Sequence, residues 1–94
     1  MSIEQDQKEA QDFFNSKGIS VDVECVVESE ERKHLKIYPC LLFFKDEDWL
    51  VLKILKRSHP YPKEVTLTTL VGQYPTLVEA LLENTHFWRT PKPA

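Results

Sequence analysis

Residues 34–57 read HLKIYPCLLFFKDEDWLVLKILKR, and this stretch decides the fold. It holds two runs rich in Leu, Ile, Val and aromatic side chains, separated by the charged segment Lys45–Asp48. Such residues are enriched in strands, and a short charged connection between two such runs is typical of a β-hairpin. We therefore predict strands at His34–Phe44 and Trp49–Arg57, paired antiparallel around a turn between Asp46 and Glu47.

A further strand is predicted on each side of this hairpin. Over Ile19–Val27 the odd positions are apolar and most even positions are polar, which is the period-2 pattern of a half-buried strand. A shorter strand is predicted at Val65–Thr68, and residues 69–73 are predicted to form one helical turn. Pro39 lies inside the second predicted strand. Because proline has no N–H to donate, we expect an unpaired side, a bulge or a sheet edge there.

A helix is predicted at the start of the chain. Ser2 and Gln5 have the spacing of a capping box, in which the two side chains bond to free N–H groups of the first turn. Lys17 followed by Gly18 supplies a cation and a flexible residue, which favour a helix end. The first helix is therefore predicted to end near Ser16.

A second helix is predicted near the end of the chain, where Thr76 and Glu79 form another capping box and Asn84 ends the pattern. We expect the aromatic segment 86–89 to dock on the domain and residues 90–94 to form a frayed tail. These elements predict one α+β domain spanning residues 1–94. It consists of an N-terminal helix, an antiparallel meander sheet of three to four strands and a C-terminal helix.

Hairpin geometry predicts which side chains share a face of the sheet. With the first turn centred near Glu31, Cys25 is expected opposite Ile37, and Cys40 is expected on the other face. Two cysteines on opposite faces cannot form a disulfide. The predicted core face carries Cys25, Leu35 and Ile37 of the first two strands together with the opposed pairs Leu41 with Leu52 and Phe43 with Leu50.

The second face of the predicted sheet is also apolar, so something must cover it. One interpretation is that a terminal helix or the Phe87–Trp88 segment packs there. The other is that the face is an exposed platform for a protein partner or a second copy of the chain, since aromatic residues are enriched in interfaces. The candidate partner-binding residues on this face are Tyr38, Leu42, Phe44, Trp49, Val51 and Leu55.

A basic group near the end of the third predicted strand offers an alternative, because cations beside aromatic rings can hold phosphates and stack bases. The candidate nucleic-acid contacts are Lys53, Lys56, Arg57 and Lys63. The net charge of −3 and the lack of a recognisable nucleic-acid-binding motif argue against this function.

No motif predicts catalysis, a metal site or a cofactor. The two cysteines and three histidines match no zinc or redox spacing, and the acidic segment 46–48 lacks the glycine and the spaced ligands of a calcium loop. We therefore predict no catalytic residue, no metal ligand and no cofactor.

The predicted function is non-enzymatic binding or regulation through protein contact, with self-association included. Nucleic-acid binding and a small enzyme without a recognisable motif are the alternatives. The first residues contain no basic leader or apolar stretch, and no apolar run approaches the length of a membrane span. We expect a cytoplasmic protein that does not enter a membrane.

Overall fold

The structure is a computed structural model that describes the backbone of residues 2–58 and 65–89 and the side chains of residues 2–55 and 67–89. Within these residues the chain forms two α-helices, one 3-10 turn and one five-stranded antiparallel sheet. In chain order the elements are α1 (Ile3–Lys17), β1 (Glu24–Val27), β2 (Lys33–Ile37), β3 (Cys40–Lys45), β4 (Asp48–Ser58), β5 (Val65–Tyr74), α2 (Leu77–Leu82) and the 3-10 turn Thr85–Phe87.

Each strand pairs with its neighbours in the sequence, so the sheet order is β1-β2-β3-β4-β5. The predicted α+β class and antiparallel meander are confirmed, but the sheet has five strands where three to four were predicted. Neither helix in the described part of the chain is long and apolar enough to cross a membrane.

Both predicted helix N-caps are confirmed. The hydroxyl of Ser2 accepts a hydrogen bond from the backbone N–H of Gln5 at 3.2 Å, and that of Thr76 accepts one from Glu79 at 3.1 Å. Gly18 ends α1 with a φ of 70°, a left-handed conformation that glycine adopts without a steric penalty.

The first strand is shorter than predicted, because part of it bonds to α1. The backbone carbonyl of Val23 accepts a hydrogen bond from the side-chain amide of Gln7 at 2.7 Å, and that of Val21 accepts one from Gln11 at 3.4 Å. The alternating segment therefore lies along the helix over residues 19–23, and ladder pairing begins only at Glu24.

The predicted strand His34–Phe44 is two strands, because the chain reverses direction at Tyr38 and Pro39. The Tyr38–Pro39 peptide bond is cis. Ile37 of β2 pairs directly with Cys40 of β3, and directly paired residues point to the same face. The odd positions of β2 therefore share a face with the even positions of β3, whereas one continuous strand would have kept the odd positions together.

The fourth predicted strand is longer than expected, and the helical turn predicted at residues 69–73 is wrong. β5 runs through Tyr74, which pairs with Trp49 at the other end of the β4–β5 ladder. Long-range pairing with β4 has overridden the weak local signal. Two register shifts leave Leu55 of β4 and Val71 of β5 without a direct partner, as in β-bulges.

Both helices and Trp88 pack on one face of the sheet, which we call the covered face. Trp88 is 3% exposed, its ring meets that of Phe14 edge-on at 5.1 Å, and its indole N–H donates to the carbonyl of Ile37 at 2.9 Å. The predicted docking of the aromatic segment is thus confirmed. Six sheet residues are buried on the covered face: Leu35, Ile37, Cys40, Leu42, Trp49 and Val51.

Candidate functional site

Three of the six candidate partner-binding residues belong to the core. Leu42 and Val51 are 0% exposed and Trp49 is 3% exposed, beneath the helices. Of the two interpretations of this face, the one in which a terminal helix and the aromatic segment cover it is correct for these residues. The prediction exchanges the two faces of β3 and β4 because it places one continuous strand where the chain reverses at residues 38–39.

The other three candidates are exposed but do not form one surface. Tyr38, 72% exposed, stands at the turn before β3, and Leu55, 59% exposed, lies at the bulge of β4 near the same end. Phe44, 46% exposed, lies at the opposite end of β3 with its ring 5.3 Å from that of Trp49. A role for these three in partner contact stays a prediction.

The opposite face of the central strands carries an apolar surface that we call the open face. Its members are partly exposed: Leu41, Phe43, Leu50, Leu52 and Ile54. The predicted pairs Leu41 with Leu52 and Phe43 with Leu50 are confirmed in register. Their predicted place in the core is wrong, since none of them belongs to the buried core cluster.

Buried and partly exposed side chains alternate along β3. Cys40 and Leu42 are buried, whereas the intervening Leu41 and Phe43 are partly exposed. The molecule is 20 Å in its shortest dimension, which is the thickness of one helix layer on one sheet. In the described part of the chain, no helix packs on the open face.

The open face is apolar at its centre and polar at its rim. Leu70 of β5, which pairs with Leu52, extends the apolar area and is 57% exposed. Toward the β3–β4 turn, the side-chain amide of Gln73 donates to the carboxylate of Asp48 at 2.6 Å. Lys36, which pairs with Leu41, bounds the face on the β2 side. An apolar centre with a polar rim is the usual anatomy of a protein interface.

His34 lies in the same row as Val26 and Phe43, and no sequence motif singles it out. Its ring stacks on that of Phe43 at 4.4 Å, it is 7% exposed, and its Nδ1 has no hydrogen-bond partner among the described residues. Burial lowers the pKa of His34, Glu28 opposes that shift and Lys36 adds to it. The signal that could have found it is its cross-strand position beside an aromatic ring.

The candidate nucleic-acid contacts are only partly described. The ammonium of Lys53 lies 5.7 Å from the centre of the Phe87 ring, on the covered side of the sheet. Lys56 and Arg57 stand in β4, where their backbones pair with β5, and their side chains are outside the described residues. Lys63 also lies outside the described residues. A nucleic-acid role stays a prediction.

Both cysteines are free thiols, and both point to the covered face. The prediction that they lie on opposite faces is wrong, because Cys25 pairs with Leu35, which pairs with Leu42, two residues from Cys40. Burial raises the pKa of Cys40 to about 11, although Lys53 acts in the other direction. A thiol with such a pKa holds its proton at neutral pH and is a poor nucleophile.

The side chain of Cys25 packs between β1 and α1. Its thiol donates to the side-chain carbonyl of Gln7 at 3.1 Å, and burial together with Glu4 and Asp6 raises its pKa. Among residues 2–58 and 65–89, no three His, Cys, Asp or Glu side chains come together where they could hold a metal ion.

The chain matches no protein-family model, no curated protein and no solved structure. Geometry and chemistry alone therefore carry the functional argument.

Proposed function

We propose that the protein acts by contact, binding another protein through the open face without catalysing a reaction. One observation carries this proposal: five large apolar side chains of the two central strands lie on a sheet face that has no helix on it in the described part of the chain. They are Leu41, Phe43, Leu50, Leu52 and Ile54.

The composition of the face supports a contact role. When an antiparallel sheet keeps one face in water, that face normally carries polar side chains at alternate positions. Here the central strands carry Leu, Ile and Phe at those positions, and contiguous apolar patches of this kind mark interaction sites. Removing such surface from water is favourable by about 25 cal/mol per Å².

The partner that fits this face is an amphipathic helix. Helices already cover the other face, where α1 contributes Ala10 and Phe14 to the core. A partner helix laid across the open face would complete a helix-sheet-helix arrangement, and an apolar helix stripe is a common way to fill such a surface. We place the protein in the cytoplasm, and its two free thiols support that compartment.

Affinity capture from a nuclease-treated lysate tests the proposal with matched variants. The test variant carries Leu50→Ser and Leu52→Ser on the open face. The control carries Val78→Ser and Leu82→Ser, two apolar residues of α2 that are 43% and 48% exposed. We expect a stoichiometric protein to be recovered with the wild type and the control and lost with the test variant, while circular dichroism shows all three to be folded.

Two outcomes would reject the proposal. If the test variant recovers the same proteins as the wild type, the open face is not the contact surface. If a parallel capture from untreated lysate recovers material that nuclease treatment removes, the alternative of nucleic-acid contact through Lys53, Lys56, Arg57 and Lys63 takes its place, and binding should then fall steeply with added salt.

A further inference from the structure

The two edges of the sheet differ in length. β5 is ten residues long and pairs with β4 on one side. Within residues 2–58 and 65–89, no strand pairs with its other side. The opposite edge is β1, which is only four residues long. An unpaired edge presents free N–H and C=O groups, and a longer edge offers more of them to another chain.

The β1 edge is guarded by charge as well as by its short length. Acidic residues stand before, within and after the strand: Asp22, Glu24, Glu28, Glu30 and Glu31. Two copies of this edge would bring like charges together, which opposes pairing. The edge therefore has the features by which natural sheets avoid association.

Within its ten residues the β5 edge has no such protection, and the nearest charges and prolines in the sequence, Pro62, Lys63, Glu64 and Pro75, lie outside the strand. Its sequence, VTLTTLVGQY over Val65–Tyr74, contains no charged residue and no proline, whereas each of the other four strands contains a charged residue. Leu67 is 49% exposed and Leu70 is 57% exposed. The bulge at Val71 interrupts the strand, so the regular part runs from Val65 to Leu70. This part consists only of Val, Leu and Thr, which favour strand pairing.

We propose that β5 pairs antiparallel with β5 of a second copy of the chain, joining two five-stranded sheets into one. A copy of the same strand fits because an uncharged edge brings no like charges opposite each other. Pairing over five of the six regular residues would supply about four to six main-chain hydrogen bonds, within the range of ordinary interfaces. Such a contact uses the same surface on both copies and closes at two chains.

The symmetry of the pairing fixes the relative orientation of the two copies. Two identical strands can pair antiparallel only about a two-fold axis perpendicular to the sheet, so a residue near the middle, Leu67 or Thr68, stands opposite its own copy. Both helix layers then lie on the same side, and the two open faces form one continuous surface. The contact at β5 is made by the main chain of the edge strand, beside the open face that Thr68 and Leu70 border, and does not depend on the partner proposed for that face.

Sedimentation equilibrium of the purified full chain over a range of concentrations tests the pairing. The test variant carries Leu67→Lys and Thr68→Lys, both at exposed positions, so the fold should survive. The control carries Val27→Lys and Ser29→Lys on the β1 side, which adds the same charge at exposed positions. We expect a wild-type dimer, a dissociation constant about 100-fold weaker in the test variant, and a change of less than about threefold in the control.

Three outcomes would overturn the proposal. They are a wild type that stays monomeric at every concentration, a test variant that dimerises as tightly as the wild type, and a control that weakens the dimer as much as the test variant. Hydrogen exchange of the wild type adds a measurement that needs no substitution. Amides within residues 66–70 should exchange more slowly at high protein concentration, and exchange independent of concentration would contradict the pairing.

The open-face variant with Leu50→Ser and Leu52→Ser separates the two proposals. It should dimerise like the wild type, because its substitutions leave the β5 edge intact. A monomeric open-face variant beside a dimeric β5 variant would mean that the copies associate through the open face and that the edge proposal is wrong.

Discussion

The two faces of the sheet carry similar side chains in different surroundings. Leu42 and Val51 are fully buried beneath the helices, whereas Leu41 and Leu52, their neighbours in the same strands, are partly exposed. The residue types do not account for this difference, since leucine occurs on both faces. The turn before β3 decides which side chains point toward α1 and α2, so the hydrophobicity of a strand residue does not reveal which face is covered.

The largest expected effect comes from truncating the same residue type on each face. Leu42→Ala should reduce the free energy of unfolding by about 3 kcal/mol, because it leaves a cavity in the core. Leu41→Ala should cost less than about 1 kcal/mol, since the side chain is partly exposed. Urea unfolding followed by circular dichroism measures both losses. Equal losses would mean that the two faces are equally buried.

A second substitution removes the hydrogen bond by which Trp88 is attached to the covered face of the sheet. Trp88→Phe takes away the indole N–H that donates to the carbonyl of Ile37 and puts a smaller ring in the buried position beside Phe14, at a combined cost of about 2 kcal/mol. Phe43→Leu, on the open face, should cost less than about 1 kcal/mol. Thermal unfolding compares the two variants, and a Trp88→Phe variant as stable as the wild type would argue against the importance of this bond.

A change in the β3–β4 turn should affect both faces alike. Asp46 and Glu47 have φ values of 52° and 66°, which favour glycine over residues with a Cβ. Glu47→Gly should therefore stabilise the fold by about 1 kcal/mol. Glu30→Gly is the control, because no strained backbone is relieved there, and it should bring no gain.

The same turn variant also tests whether the turn acts on the two faces independently. Combined with Leu42→Ala or Leu41→Ala, Glu47→Gly should raise both free energies equally and leave their difference unchanged, as for independent sites. A changed difference would show that the turn favours one face.

The smallest expected effect is the pH dependence that His34 contributes beside the open face. Its pKa in the folded protein lies below the ordinary value of 6.5, so below that pH the unfolded chain binds a proton that the folded chain does not. The contribution of neutral His34 to the free energy of unfolding is therefore fully present above about pH 6.5 and is lost as the pH falls below that value. His34→Phe keeps a ring beside Phe43, and its urea midpoint should fall less between pH 7.5 and 5.5 than that of the wild type. Equal decreases would contradict the assignment.

Local features of the fold could be predicted from the sequence, and features that depend on distant partners could not. The caps at Ser2 and Thr76 involve residues three positions apart, and the β3–β4 register follows from one charged turn. The extension of β5 to Tyr74 depends on pairing with β4, which no local pattern displays. Likewise, the shortening of β1 depends on side-chain amides of α1.

The presence of two apolar faces could be predicted from the sequence, but which residues lie beneath the helices could not. The central strands carry two apolar faces, as their composition predicts, and helices cover one of them in the described part of the chain. The single reversal at Tyr38 and Pro39 exchanged them, because it changes the parity of every later position. Periodicity within a strand carries no information on such a reversal.

The bond between Trp88 and Ile37 also bears on the order of folding. The sheet pairs strands that follow one another in the chain, so its contacts can form as the polypeptide is synthesised, whereas this bond joins residues 51 positions apart. Until residue 88 has emerged from the ribosome, the nascent sheet lacks part of its cover. Premature termination a few codons earlier would therefore release a chain with an apolar core surface still facing water, a substrate for chaperones and proteases.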